Sequence, residues 1–318
     1  MITQILLLIL GFGILIKGAD WLVNGGSALA RKYKISELAI GLTIVAFGTS
    51  MPEFVVNAFA AYQSNADIVF GNIIGSNIFN LFAILGIAGL ITPLFVQSST
   101  VWKEIPFSLF ATLLLFFLAN SFISKNESLT RIDGIILLIF FLIFLYYVYR
   151  QLKNESILPE VSHKELSNLK IWIFIIAGLI FLVAGGRLVV VNSVQIAQSL
   201  GISQTIIGLT IVAAGTSLPE LATSVVAATK KKNDIAIGNI IGSNIFNIYY
   251  ILGVSALIKP VAFNTKFNFD LYLLGAGTIL LFIAMFSGKK KKLDRWEAGV
   301  LLLIYVGYVI YLISKEIQ

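Results

Sequence analysis

Of the 16 carboxylates in this chain, all but two fall in polar loops or near the ends of apolar segments. Glu53 and Glu220 lie deep inside long apolar stretches. A charged side chain at the centre of a bilayer costs about 2.5–3.5 kcal/mol by insertion measurements, so an intramembrane carboxylate points to function. Each closes the same phrase, GLTIVAFGTSMPE from Gly41 to Glu53 and GLTIVAAGTSLPE from Gly208 to Glu220. A second phrase, GNIIGSNIFN, runs from Gly71 to Asn80 and returns unchanged from Gly238 to Asn247. Both recur at one offset of 167 residues, so a whole unit is duplicated.

The residues around each glutamate supply oxygen. Pro52 and Pro219 remove a backbone donor and clash with the preceding turn, which breaks or kinks a helix, and Gly48 and Gly215 loosen the backbone upstream. A break exposes carbonyls around Ala46, Thr49, Ala213 and Thr216, and such backbone persists in a bilayer only where it lines a cavity or binds something. Ser50 and Ser217 add hydroxyls; Ser76 with Asn80, and Ser243 with Asn247, are spaced four apart and share a helix face. Carboxylates, carbonyls and hydroxyls together suit a hard cation. Ca²⁺ takes about 6–8 such ligands, Mg²⁺ demands a tighter octahedron, and Na⁺ accepts the neutral oxygens. Two glutamates would neutralise one divalent ion. The GxxxG pairs Gly71/Gly75 and Gly238/Gly242 report close helix packing.

These residues must be carried by membrane helices. The 318 residues are 58% hydrophobic and 12% charged, against roughly 25% charged in an average soluble domain. Ten spans are expected, at about 3–29, 36–62, 67–91, 104–124, 130–152, 170–198, 203–229, 234–258, 268–287 and 295–314. The first lacks a basic segment ahead of it and is read as a retained helix. With ten spans, sixteen Lys and Arg fall on one side and five on the other, which puts the basic loops in the cytoplasm and both termini outside. Five helices per copy make the repeats inverted, so the two acidic motifs converge from opposite faces near the midplane. The expected fold is therefore all-α and integral to the membrane: a repeat over 1–152, a solvated cytoplasmic linker over 153–169, and a second repeat over 170–318. Helices 2, 3, 7 and 8 are expected to be broken at the midplane.

Several chemistries drop out. The chain has no cysteine, its single histidine, His163, sits in the linker, and no phosphate-binding GxxxxGK[ST] loop is present, so thiol chemistry, soft-metal sites and nucleotide hydrolysis are not expected. The net charge of +7 reflects loop topology and not nucleic-acid binding. Paired carboxylates could do acid–base work, but no nucleophile and base accompany them, so no enzyme is expected. Asp20 and Arg187 occupy matching positions, yet inverted repeats would set them at opposite ends of their helices, and each is read as reaching for the headgroups.

GTSMPE with GSNIFN, followed by GTSLPE with GSNIFN, resembles the two alpha-repeats of the calcium/cation antiporter superfamily, and most closely its prokaryotic sodium/calcium exchanger branch; the proton-coupled branch tends to carry GNxxE instead. The resemblance spans the whole chain. It implies a multi-pass plasma-membrane antiporter that extrudes Ca²⁺ in exchange for Na⁺ by alternating access, with the ions as substrates and no cofactor, and with a monomer expected. It further implies a Ca²⁺ site of Glu53, Glu220 and the carbonyls of Thr49 and Thr216. Flanking Na⁺ sites would use Ala46, Ser50, Ser76, Ala213, Ser217 and Ser243, with Asn80 and Asn247 lining the centre. A proton-coupled Ca²⁺ antiporter on the same site, and a passive cation channel, are the alternatives. Many relatives, potassium-dependent exchangers among them, carry aspartate at the position of Asn247. The asparagine predicts that added K⁺ leaves Ca²⁺ transport unchanged, and stimulation by K⁺ in a flux assay would contradict that reading.

Overall fold

The computed structural model describes residues 1–120, 127–154, 166–201, 213–287 and 291–317, and nearly all of them are helical. In chain order these are α1 (Ile2–Tyr33), α2 (Glu37–Thr49), α3 (Met51–Tyr62), α4 (Ala66–Ile91), α5 (Thr100–Ala119), α6 (Arg131–Asn154), α7 (Asn168–Ser199), α8 (Leu218–Thr229), α9 (Asn233–Ile258), α10 (Thr265–Ala284) and α11 (Arg295–Ile317). Among the described residues eight helices are long and apolar enough to cross a membrane, and α2 with α3 makes a ninth such span bent by 48°. The expected linker lies largely outside the described residues, as does the first half of the seventh expected span.

The bend between α2 and α3 falls at Ser50, with Pro52 in the first turn of α3. Pro52 has no N–H to return to Gly48, so one ladder bond is lost at that point. The same phrase gives the same result in the second copy. A turn at Thr216 and Ser217 separates Ala213–Gly215 from α8, whose first turn holds Pro219.

The expectation that helices 3 and 8 are also broken is corrected. Their counterparts α4 and α9 run through as single 26-residue helices. Each widens into a π-helical stretch instead, Phe79–Ile84 in α4 and Phe246–Leu252 in α9. Neither stretch contains proline, and glycine alone weakens a helix without removing a hydrogen bond. A π turn inserts an extra residue while keeping the backbone paired, and it re-aims the side chains around it.

α4 and α9 form the buried centre, each with 83% of its most apolar window inside the protein, whereas α1 and α11 bury about a fifth of theirs. α1 crosses α7 in antiparallel fashion along a glycine seam. Gly11 meets Leu188 and Val189, Gly18 meets Gly178 and Leu182, and Gly25 meets Ile175. Lipid offers no hydrophobic drive for helices to associate, so close backbone approach through small residues does that work.

Two short antiparallel ribbons tie the halves together outside the helices. β1 (Leu94–Phe95) pairs with β4 (Lys292–Leu293), and β2 (Ser128–Leu129) pairs with β3 (Val261–Ala262). In each ribbon one strand comes from before the linker and one from after it.

A Cβ built on Gly18 would stand 2.7 Å from the backbone N of Leu182 and 2.8 Å from the carbonyl of Gly178, neither of which can give way. Gly18→Val is therefore expected to destabilise the protein by about 1–3 kcal/mol, seen as a lower melting temperature in detergent. Gly13→Val is the control, because a Cβ there meets no described atom within 4 Å and its melting temperature should stay near wild type.

Candidate cation site

Glu53 opens α3 and Glu220 opens α8, each one residue after its proline, and both are fully buried. The hydroxyls that serve them are exchanged between the two copies. Ser50 donates to Oε1 of Glu220 at 2.8 Å, and Ser217 donates to Oε1 of Glu53 at 2.9 Å. Each copy also contributes a weaker bond from its own second phrase. Ser76 reaches Oε1 of Glu53 and Ser243 reaches Oε1 of Glu220, both at 3.4 Å, and the hydroxyl oxygens of Ser217 and Ser76 lie 3.0 Å apart. Of the expected serine and asparagine pairs on α4 and α9, Ser76 and Ser243 reach the glutamates, whereas the amides of Asn80 and Asn247 bond to other asparagines.

All the donors arrive on one oxygen of each carboxylate. Oε2 of Glu53, Oε2 of Glu220, Oδ1 of Asn80 and Oδ1 of Asn247 are buried and have no hydrogen-bond partner among the described residues. Every one of the four is an acceptor. A buried acceptor left unpaired costs about 1–3 kcal/mol, a cost that a cation meeting these oxygens would relieve. Carboxylate, amide and hydroxyl oxygens are the donors present here, and such a set suits a hard, oxygen-ligated ion.

Other expected residues take different parts. Thr49 points its hydroxyl at Asn239 Oδ1 (3.0 Å) and at the Ala46 carbonyl (3.3 Å), and Thr216 donates to Asn72 Oδ1 at 3.3 Å. These bonds use the hydroxyl hydrogens, and the hydroxyl oxygens keep lone pairs of their own. The Ala46 carbonyl also accepts the amide of Ser50 at 3.0 Å, so the break does not strip it of its hydrogen bond. Ala213 lies in the helical Ala213–Gly215 segment just before Thr216. Asn80 and Asn247 are buried, and their amides bond to Asn244 and Asn77.

Three pairs escaped the reading of the sequence. Asn72 donates to Asn57 Oδ1 (2.7 Å) and to the Glu53 carbonyl (3.4 Å), and its counterpart Asn239 donates to Ser224 (3.0 Å) and to the Glu220 carbonyl (3.3 Å). They hold the backbone of each glutamate. Asn77 and Asn244 form the third pair. The signal for both asparagine pairs was the unchanged second phrase, in which every polar position is kept. Asn57 and Ser224 differ between copies and left no such trace. Elsewhere, Glu104 at the start of α5 is fully buried and accepts the hydroxyl of Tyr147. Asp20 does not simply reach for headgroups, since it pairs with Lys230, which also donates to Asn24 at 2.7 Å.

A cavity of about 480 Å³ approaches this site along Pro52, Pro219, Gly215 and Thr216, with Arg187 on its wall.

The family model described as "sodium/calcium exchanger protein" matches the chain twice, over residues 3–150 and 170–314. The chain belongs to the sodium/calcium exchanger family. It is a multi-pass membrane transporter of the calcium/cation antiporter type, not an enzyme, and members of the exchanger family carry Na⁺ and Ca²⁺ as substrates with no cofactor. This exchanger-family chain is 39% identical to the putative antiporter CaxA of Alkalimonas amylolytica over 99% of its own length and all of the relative's. It is 33% identical to the sodium/calcium exchanger MaX1 of Methanosarcina acetivorans, over 98% and 99% of the two chains. Among solved structures it is similar to the sodium-calcium exchanger NCX_Mj, at 32% identity, with a TM-score of 0.82 and coverage of 97% and 98%.

If the acceptor cluster holds the cargo, Ca²⁺ raises the melting temperature of the purified protein, by about 2.7 kcal/mol of stabilisation at a hundredfold excess over Kd. Glu53→Gln and Glu220→Gln each put an amide donor where an anionic acceptor stood and are expected to abolish that shift, as read by a thermal-unfolding titration with Ca²⁺.

Proposed function

We propose that this exchanger-family chain extrudes Ca²⁺ across the plasma membrane in exchange for Na⁺, by alternating access to one central site. The observation that carries the reading is the crossed pair of bonds, Ser50 to Glu220 and Ser217 to Glu53, with the second oxygen of each carboxylate left free. Ca²⁺ would take both glutamates with the main-chain oxygens of Thr49 and Thr216. Na⁺ would occupy flanking positions built from Ser50, Ser76, Ser217, Ser243 and the carbonyls of Ala46 and Ala213, and Asn80 and Asn247 would line the centre. The serine hydroxyls bonded to Glu53 and Glu220 are themselves Na⁺ ligands in this scheme, so the two ions compete for shared oxygens. Three Na⁺ against two carboxylates leave one positive charge and one Ca²⁺ leaves none, which would make exchange at that ratio electrogenic.

The topology proposed with it is ten spans in two inverted repeats, 1–152 and 170–318, joined by a cytoplasmic linker over 153–169, with both termini outside. Parity supports it. β1 and β4 pair, so they share a face of the membrane, and an even number of crossings must separate them. α5, α6, α7, α9 and α10 would make five, and a sixth crossing by the segment ending in α8 would make the count even, in keeping with ten spans. The same rule holds for β2 with β3, for Lys232 with Glu37 (2.7 Å) and for Lys266 with Asp67 (2.5 Å). The antiparallel crossing of α1 and α7, the first helix of each repeat, favours inversion. The cavity beside Pro52 and Pro219 would open the site toward the outside.

The test is uptake of radioactive Ca²⁺ into proteoliposomes loaded with Na⁺ and diluted into Na⁺-free buffer, beside vesicles loaded with K⁺ and vesicles given only a pH gradient. Uptake is expected to require internal Na⁺ and to fall to background in Glu53→Gln or Glu220→Gln. Uptake driven by the pH gradient alone would assign the protein to proton coupling, and uptake with no counter-ion at all would make it a channel.

A further inference from the structure

Behind the glutamates, four asparagines join α4 to α9 in a closed set of bonds. Asn77 Nδ2 donates to the backbone carbonyl of Asn244 (3.2 Å), and Asn244 Nδ2 donates to the backbone carbonyl of Asn77 (3.4 Å). Asn247 Nδ2 then donates to Asn77 Oδ1 at 2.9 Å, and Asn80 Nδ2 to Asn244 Oδ1 at 3.0 Å. All four side chains are buried. Residues 77 and 244, and 80 and 247, are related by the 167-residue offset, so the arrangement repeats itself across the two copies.

The two ends of an asparagine amide have nearly the same shape, and only its partners decide which end points where. Here the chain of decisions starts at the backbone. A carbonyl can only accept, so the atom that Asn77 turns toward the carbonyl of Asn244 must be its nitrogen. Its oxygen is thereby fixed on the other side, where it too can only accept. The atom of Asn247 that faces it must then be nitrogen, which leaves Oδ1 of Asn247 as the end without a partner. The same sequence runs from Asn244 to Asn80. Asn80 lies one turn beyond Ser76 on the face of α4 that meets Glu53, and Asn247 stands in the same relation to Ser243 and Glu220.

We propose that Asn77 and Asn244 are positioning residues that set the polarity of the cation site, holding the N–H groups of Asn247 and Asn80 away so that the cargo meets oxygen alone. The inference rests on the cation-site reading above. Without the anchor, the amide of Asn247 would be free to turn its nitrogen inward. The unpaired Oε2 atoms of Glu53 and Glu220 are ready acceptors for it, and a donor held there would compete with the ion for the carboxylates. The ring also constrains chemistry at 247. The group there must donate to Asn77 while offering an acceptor to the site, which asparagine does and an ionised carboxylate does not.

A double-mutant cycle separates positioning from packing. Ca²⁺ dissociation constants are measured by calorimetric titration of the full-length protein purified in detergent, for wild type, Asn77→Leu, Asn247→Ala and the double variant. Asn77→Leu is expected to weaken Ca²⁺ binding at least tenfold, and to have no further effect once Asn247 is alanine, because its influence passes through that amide. That is a coupling of tenfold, or about 1.4 kcal/mol. Effects that simply add, or an unchanged Kd in Asn77→Leu, would overturn the proposal. Should Asn77→Leu fail to fold, the mirror cycle with Asn244→Leu and Asn80→Ala asks the same question on the other copy, with the same two outcomes against it. Wild-type protein that binds Ca²⁺ but shows no Na⁺-driven uptake would sink the antiport reading and leave this cycle interpretable. Wild-type protein that does not bind Ca²⁺ would sink the cation site itself.

Discussion

Two carboxylates are buried beside one another's helix breaks, and neither is served by its own copy alone. Burying a charged group away from water is tolerable only when its oxygens find donors or a cation. The donors come as serine hydroxyls, and the shortest of them arrive from the opposite copy. Much of the architecture can be understood as the means of bringing two such motifs within reach of each other. The breaks at Ser50 and at Thr216–Ser217 turn the glutamates inward, α4 and α9 supply second hydroxyls, and the asparagines of those helices hold the backbone on which the glutamates ride.

The two kinds of helix distortion have separate uses. A proline break removes a ladder bond and turns the helix, which suits the place where an ion is to be held. A π turn keeps its hydrogen bonds and only shifts the register of the side chains, which suits a central helix that must present two polar faces while staying packed on nearly all sides. Gly238 shows how tight that packing becomes, since a Cβ there would stand 2.9 Å from the carbonyl of Leu38.

Long apolar runs made the membrane helices legible in the sequence, and the paired glutamates with the serines around them were legible because their phrases are written twice. Duplication at a fixed offset turns a weak local signal into a strong one, and it named the polar faces of α4 and α9 before any coordinates. What stayed hidden was whatever depends on partners distant in the chain. Nothing local tells a proline-free glycine phrase to form a π turn in place of a break. The pairing of Asp20 with Lys230 needs α1 to lie beside the end of α8, and Glu104 looks like an interfacial residue until Tyr147 of α6 covers it. The swap of hydroxyls between the glutamates is equally invisible, because GTSMPE places a serine three residues from a glutamate that it does not serve.

The two-strand ribbons carry an implication for how such a chain could have arisen. β1 finds its partner in β4 and β2 in β3, each across the duplication boundary, just as each glutamate finds its nearest hydroxyl there. A polypeptide of half this length would keep its own copy of each motif yet lack a mate for each strand and the shorter of the two donors to its carboxylate. It could complete itself only by associating with a second copy. The chain is a tandem of two similar units whose strands and shortest carboxylate donors are exchanged, so one chain holds together a pairing that two separate halves would have to find by collision.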